Sequence, residues 1–385
     1  MNFDLTPDQE EFRGVIRRFA DEVVAPDAAG RDEREEFPLE VVRAMASLGL
    51  FGLPLPERSG GSDADTVTCC LVVEELGRVD QSVAITLSAA MGLGGAMVHR
   101  FGSEAQQDRW LGPIARGEIL TSFALTEPGG GSDAAATTTT AREDGAGWVI
   151  DGAKAFITNA GTPLTGLHVV TAATEPGGGR RGLSTFLVPA DSPGITVERT
   201  YRKIGWRASD TRGLVFQGCR VPGDALLGER GRGFAQCLEL LGSARIAIAA
   251  LAVGLAQACV EEGVSYAKQR RAFGRPIGAN QMVQARIADM QTRLAAARLL
   301  TYEAAWLKDQ GRRYVAQASI AKLAASEAAV TCARDAVQLF GGSGFMEETK
   351  VARAYRDAKV LEIGEGTSEI QRLIIARELG LPVEF

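Results

Sequence analysis

The sequence predicts an α+β chain in three parts: an N-terminal helical region, a small central β-barrel or sandwich, and a C-terminal four-helix bundle. Three observations carry that reading. Near the start, Phe12, Val15, Ile16, Phe19 and Val23 recur at helical spacing. The stretch 121–232 becomes rich in Gly, Thr and Pro and holds only short apolar runs. From Gly233 onward only Pro276 and Pro382 remain, and alanine-rich runs dominate. These changes of character predict domains at 1–120, 121–232 and 233–385.

In the first part, Thr6, Pro7 and Gln9 predict a capped helix start with Pro at the first helical position. Pro38 opens a second helix and Gly49 can close it. Ser103 with Gln106 makes another capping box, ahead of Trp110, Leu111 and Ile114. In the middle part, Trp148–Ile150, Leu167–Thr171, Ser184–Val188, Ile195–Glu198 and Leu214–Phe216 read as strands separated by turn clusters. In the last part, helices run at roughly 234–270, 280–309 and 315–339, broken by GRPIG, Gly311 and Gly341-Gly342. A final helix carries Ile370, Leu373, Ile374 and Leu379 on its apolar face.

Net charge is −6 and the pI about 5.3, which argues against a nucleic-acid role, because phosphate neutralisation needs a basic surface. Six scattered cysteines include no CxxC pair, so free thiols in a reducing cytosol are expected. His99 and His168 are the two histidines and have no ligand spacing around them, so no metal site is expected. The N-terminus MNFDLTPDQEEF lacks the pattern of a signal peptide. The longest apolar run, Ile246 to Ala256, is shorter than the ~20 residues of a membrane span. A soluble cytoplasmic protein is the expectation.

The chemistry concentrates at AYRDAKVLEIGEGTSEIQRLIIAREL, residues 354–379. Glu365 sits in a Gly-Glu-Gly turn at the mouth of the last helix, where Gly364 and Gly366 permit a sharp bend. Thr367 and Ser368 are helix-start residues, and Ser368 with Gln371 has capping-box spacing. A carboxyl held this way can be partly desolvated and poised as a base, although an acid in a Gly-rich loop is more often a solvated turn residue. GGGRRG at 177–182 matches G-x-G-x-x-G, but the strand-like LSTFLV follows it, so a hairpin loop is the better reading.

FALTEPGGGSD (123–133), DGAKAFITNAG (151–161) and the Gly-Glu-Gly turn occur in that order. Together they resemble the acyl-CoA dehydrogenase family, over essentially the whole chain. The resemblance implies FAD as cofactor, a helix–β–helix architecture and a homotetramer. By it, Phe123, Leu125, Thr126, Gly131 and Ser132 cradle the flavin, with Ser132 also touching substrate. Phe156 and Thr158 match positions that pack on and hydrogen-bond the flavin, although Phe156 and Ile157 read equally well as a buried strand pair. Arg270 matches a pyrophosphate ligand, with Phe273, Gln281, Gln338, Gly341 and Gly342 at flavin-contacting positions. Thr367 and Glu369 also match cofactor-binding positions, Thr367 serving the cofactor of a neighbouring arrangement of helices or subunit.

The implied reaction is α,β-dehydrogenation of an acyl-CoA thioester to the trans-2-enoyl thioester, with Glu365 as general base and flavin N5 as hydride acceptor. Electrons would pass to electron-transfer flavoprotein. Leu241, Gly242, Arg245, Gly364 and Gly366 fall at substrate-binding positions. Some members place the base near residue 244, which is Ala244 here. The chain departs from the family where Gly242 replaces an Asp and Gly364 replaces a Tyr. The first departure leaves open an acyl-carrier-protein thioester as substrate, and the second predicts room for longer or branched acyl groups. A flavin oxidase, a flavin monooxygenase and a non-catalytic flavoprotein of the same fold are the remaining alternatives.

Overall fold

The computed structural model describes residues 4–383. Thr6 caps α1 (Pro7–Phe19) through the expected reciprocal box with Gln9. α2 (Ala28–Arg34), α3 (Leu39–Ser47), α4 (Thr66–Val79), α5 (Gln81–Ala89) and α6 (Ala96–Phe101) follow. α7 (Glu104–Ala115) opens on the expected Ser103–Gln106 box. Pro38 precedes α3, and Gly49 leaves it with a left-handed φ of 72°. Periodicity gives no sign of α2, because its residues AAGRDER hold no apolar stripe. It is fixed by buried ion pairs instead: Arg31 to Asp80 at 3.1 Å and Asp32 to Arg356 at 2.5 Å.

The middle of the chain forms one sheet from β1 (Leu120–Ala124), β2 (Thr140–Asp144), β3 (Gly147–Thr158), β4 (Thr165–Ala173), β5 (Leu183–Pro189), β6 (Ile195–Val197), β7 (Thr211–Pro222) and β8 (Leu226–Leu227). The order is β6-β7-β3-β2-β4-β5-β8, with β1 joining β4 in parallel. The five strand runs read from the sequence fall on β3 to β7. The GGGRRG string links antiparallel β4 and β5, as a hairpin loop should. Residues of β3 and β7 meet those of β4 and β5 in one apolar core, where Trp148 packs edge-on against Phe186 at 5.2 Å. Leu167, Val169 and Leu187 belong to a different cluster, shared with Met97, Leu111 and Leu240 of the helices. β4 and β5 are therefore packed on both faces.

α8 (Gly233–Gln269) leads through a two-stranded hairpin, β9 (Arg271–Ala272) and β10 (Arg275–Pro276), into α9 (Gln281–Asp309). α10 (Val315–Phe340), α11 (Lys350–Ala358) and α12 (Ser368–Glu378) complete the chain. α8, α9 and α10 pack on one another, and α12 lies against α10. α4 also packs on α8 and α9, so one apolar core extends from Ile16 to Leu361. A Cβ on Gly254 would fall 2.3 Å from the Glu74 carbonyl, so this close α4–α8 approach requires glycine.

Two helical stretches, Gln81–Phe101 and Gly233–Gln269, are long and apolar enough to cross a membrane. Their most apolar windows are 83% and 72% buried within the protein, which makes them core helices. None of the six cysteines is in a disulfide; Cys69 is partly exposed and the other five are buried.

Candidate active site

The Gly-Glu-Gly turn is held from three directions. The Gly364 N–H donates to Val360 O at 2.8 Å and closes the preceding turn of helix. The Thr367 hydroxyl accepts from the Ile370 N–H at 3.3 Å and caps α12. The expected Ser368–Gln371 box therefore gives way to a cap one residue earlier. Gln371 reaches back instead: its amide donates to Gly366 O at 2.8 Å and to Glu365 O at 3.4 Å. Lys322 of α10 donates to the same Gly366 carbonyl at 2.8 Å. Held this way, Glu365 takes a φ of 56°, a left-handed conformation uncommon outside glycine.

Glu365 is partly exposed as a residue, but its Oε2 is buried and has no hydrogen-bond partner. Burial pushes its carboxyl above the ordinary range, while the charges of Arg245 and Lys322 pull it back. Burial holds the Arg245 guanidinium below its ordinary value, and its Nε is unpartnered. Lys322 is brought down to about 8 by burial, against the opposing charge of Glu365. These three groups form one desolvated cluster. Beside it opens a cavity of about 640 Å³, lined by Glu365, Leu240, Ala244, Ile248, Met91 and Tyr314 among others.

The other expected residues separate into three places. Arg245, Gly364 and Gly366 surround Glu365, with Leu241 and Gly242 on the same stretch of α8. A Cβ on Gly242 would lie 3.7 Å from the Tyr314 hydroxyl, so Tyr314 stands beside the missing Asp. Phe123 and Leu125 join the apolar cluster of Leu240, Leu241 and Ala244, which brings the end of β1 to the cavity wall. Thr126 borders Gly131, where a Cβ would meet its methyl at 3.3 Å, and Ser132 is exposed on the same loop.

That loop is anchored by Glu127, which accepts from Lys154 at 2.8 Å, from the Thr138 N–H and hydroxyl at 2.8 and 2.6 Å, and from the Thr139 N–H at 2.9 Å. Phe156 is no buried strand residue: it is 66% exposed, has a φ of 60°, and rests on Tyr201 at 5.2 Å. Thr158 pairs with Thr211 at the end of the same strand.

Arg270, Phe273, Gln281, Gln338, Gly341 and Gly342 collect at the far end of α8. Tyr266 stacks on Phe340 with centroids 4.0 Å apart, and the Ile277 N–H donates to Arg270 O at 2.8 Å. Arg270 lies about 26 residues beyond Ala244, roughly 39 Å along a helix. These six residues are exposed, Phe273 to 97%. Thr367 and Glu369 line a separate cleft of about 180 Å³ with Arg372 and Lys359.

Sequence reading missed Lys322, Tyr314 and the Glu127–Lys154 pair. Lys322 had a signal: it interrupts the buried stripe Ala318, Ala321, Ala325, Ala329 on α10, where a lysine needs a reason.

Family models for the N-terminal, middle and C-terminal domains of acyl-CoA dehydrogenase match residues 6–118, 122–219 and 231–380. The chain belongs to the acyl-CoA dehydrogenase family. A probable acyl-CoA dehydrogenase of Bacillus subtilis, YngJ, is 45% identical over 380 residues, covering 98% of this chain and all of that one. The structure of butyryl-CoA dehydrogenase from Megasphaera elsdenii matches with a TM-score of 0.96 at 38% identity, over 98% of this chain and 100% of that one. A structure described as "Electron transferring flavoprotein of Acidaminococcus fermentans: Towards a mechanism of flavin-based electron bifurcation" matches with a TM-score of 0.96 at 38% identity, covering 98% and 99%.

Acyl-CoA dehydrogenases use FAD, and the residues present fit it. An exposed aromatic face at Phe156, a glycine loop braced by Glu127, and the Thr126 and Thr158 hydroxyls offer a flat, close-approach platform. Arg270 supplies a planar fork suited to a pyrophosphate.

Proposed function

We propose that this acyl-CoA dehydrogenase oxidises an acyl-CoA thioester to the trans-2-enoyl thioester, with Glu365 removing the α-proton. The observation that carries the reading is the Glu365 carboxyl: buried, unpaired at Oε2, and on the wall of the cavity. A base works best with a pKa near the operating pH, and burial moves this carboxyl in that direction. Arg245 and Lys322 keep the carboxylate form accessible by opposing that rise. FAD, when bound, supplies the acceptor for the hydride leaving the β-carbon.

The chain's own contribution is position. The turn clamps hold Glu365 at a fixed place, and the apolar wall of Leu240, Ala244 and Ile248 excludes water from the acyl chain. Gly364 leaves open the side where relatives carry an aromatic ring; a Cβ there would meet only Val360 O, at 3.5 Å. Acyl groups longer or more branched than butyryl are accommodated on that side. The Arg270 group lies too far from Glu365 to serve the same cofactor within one chain. It completes the site of a neighbouring copy, which supports an oligomer of at least two chains, in keeping with the homotetramer expected from the family resemblance. Electrons then pass to an electron-transfer flavoprotein, the protein named for the Acidaminococcus fermentans structure.

Anaerobic titration of the purified protein with a panel of acyl-CoA thioesters tests the reading. The flavin absorbance near 450 nm is expected to bleach, with branched or longer acyl groups among the effective substrates. Absence of bleaching by every acyl-CoA contradicts it.

A further inference from the structure

The mechanism draws on the charge of Lys322 but not on its place in the turn. Lys322 is fully buried on α10, and its Nζ donates to the Gly366 carbonyl at 2.8 Å. Gln371 holds that same carbonyl from the other side. The carbonyl belongs to the residue directly after Glu365, and the Lys322 charge acts on the Glu365 carboxyl.

We propose that Lys322 is a positioning residue for the base: it pins the turn through Gly366 O and holds Glu365 as a carboxylate. This rests on Glu365 being the base. The two functions have one geometric cause. A non-glycine residue at φ 56° is strained and persists only where its surroundings over-determine it. Two donors converging on one carbonyl supply that constraint. The charge does the rest, because a cation near a desolvated carboxyl favours its ionised form.

The electrostatic surroundings are mixed. Arg245 on α8 acts on Glu365 in the same sense as Lys322. Glu362, ahead of the turn, and Glu369 on α12 face Lys322 and support its protonated form, while Arg245 opposes it. Arg377 on α12 and Tyr314 face Arg245. Removing Lys322 leaves Arg245 as the one cation acting directly on the Glu365 carboxyl among those that shift it.

Two variants of the full-length, FAD-loaded protein separate the roles. Lys322→Gln keeps a donor for Gly366 O and loses the charge. Lys322→Met loses both. The readouts are the pH profile of kcat and the pH dependence of α-hydrogen exchange of bound acyl-CoA in D2O. In Lys322→Gln the acid limb of both profiles should move up by about one pH unit, equivalent to a tenfold loss of rate on that limb. In Lys322→Met the plateau kcat should also fall, with KM nearly unchanged. Gln371→Met, which removes an uncharged donor, should lower kcat without moving the acid limb. An unmoved acid limb in both Lys322 variants overturns the proposal. So does loss of folding in both, since it would assign Lys322 to the stability of α10 alone. If wild type itself exchanges no α-hydrogen, it is the base assignment to Glu365 that fails.

Discussion

At the residue scale, Glu127 and Lys154 show how a buried pair can be structural inside a functional loop. Burial alone would raise the Glu127 carboxyl, but hydrogen bonds from Lys154, Thr138 and Thr139 outweigh it and hold it at about 2. Burial pulls Lys154 below an ordinary lysine, so the pair gains less than the carboxylate's shift alone suggests. Removing one partner is the costly change. Lys154→Met should destabilise the protein by about 3 kcal/mol, because it strands a buried carboxylate. The thermal midpoint should fall, and Glu127→Gln in the same chain should recover much of it. A Lys154→Met protein as stable as wild type would show that the pair does not hold the loop. The pH dependence follows from the depressed carboxyl. Its stabilisation is present above its ordinary value of 4.5 and is lost as pH falls through about 2.

At the element scale, the turn at 364–366 and α12 act as one device. Gly366 has a φ of 91°, and a Cβ there would fall 2.7 Å from the Gln371 amide nitrogen. Gly366→Ala should therefore both strain the backbone and displace Gln371 from its two carbonyls. We expect kcat to drop by about 10- to 100-fold, since an error of about 1 Å in a catalytic group can cost that much. Circular dichroism should be unchanged; an unchanged kcat would show that the turn does not position the base. The sequence made the turn legible through its two glycines, and its acid through the family motifs that accompany it. It misplaced the cap, since Ser368 and Thr367 are both good N-cap residues and local spacing cannot choose between them. Gln371 reached back to the turn carbonyls, sharing that of Gly366 with Lys322, a tertiary arrangement invisible in spacing. β1 and β2 were missed for a related reason. Thr121 and Ser122 in β1 are buried polar residues, satisfied by Ala90 O and His168, and β2 is largely polar. Neither shows the alternation that marks a half-buried strand.

At the scale of the whole molecule, the long helices were legible to within a residue or two, because their breaks are glycines and GRPIG. The packing of α4 into the C-terminal helices was not, since glycine contacts such as Gly254 against α4 leave no periodic trace. The separation of Arg270 from Glu365 was equally hidden, as it follows from the length of α8 only once Arg245 is seen beside Glu365. It leads to a prediction about assembly. Arg270→Ala should weaken FAD retention while leaving the fold intact, as charge-assisted hydrogen bonds are worth about 1.5–3 kcal/mol each. Dilution of wild type should release FAD in step with dissociation of the oligomer, read by flavin fluorescence and sedimentation. Release of FAD without dissociation would mean that each chain holds its cofactor alone.

The claim on which the rest depends is that Glu365 removes the α-proton. It is tested most directly by anaerobic stopped-flow bleaching of Glu365→Gln with acyl-CoA. The account predicts a variant that retains FAD and binds acyl-CoA, yet bleaches slower than wild type by at least ~10²-fold, the usual contribution of a general base. A variant that keeps more than about a tenth of the wild-type rate contradicts it.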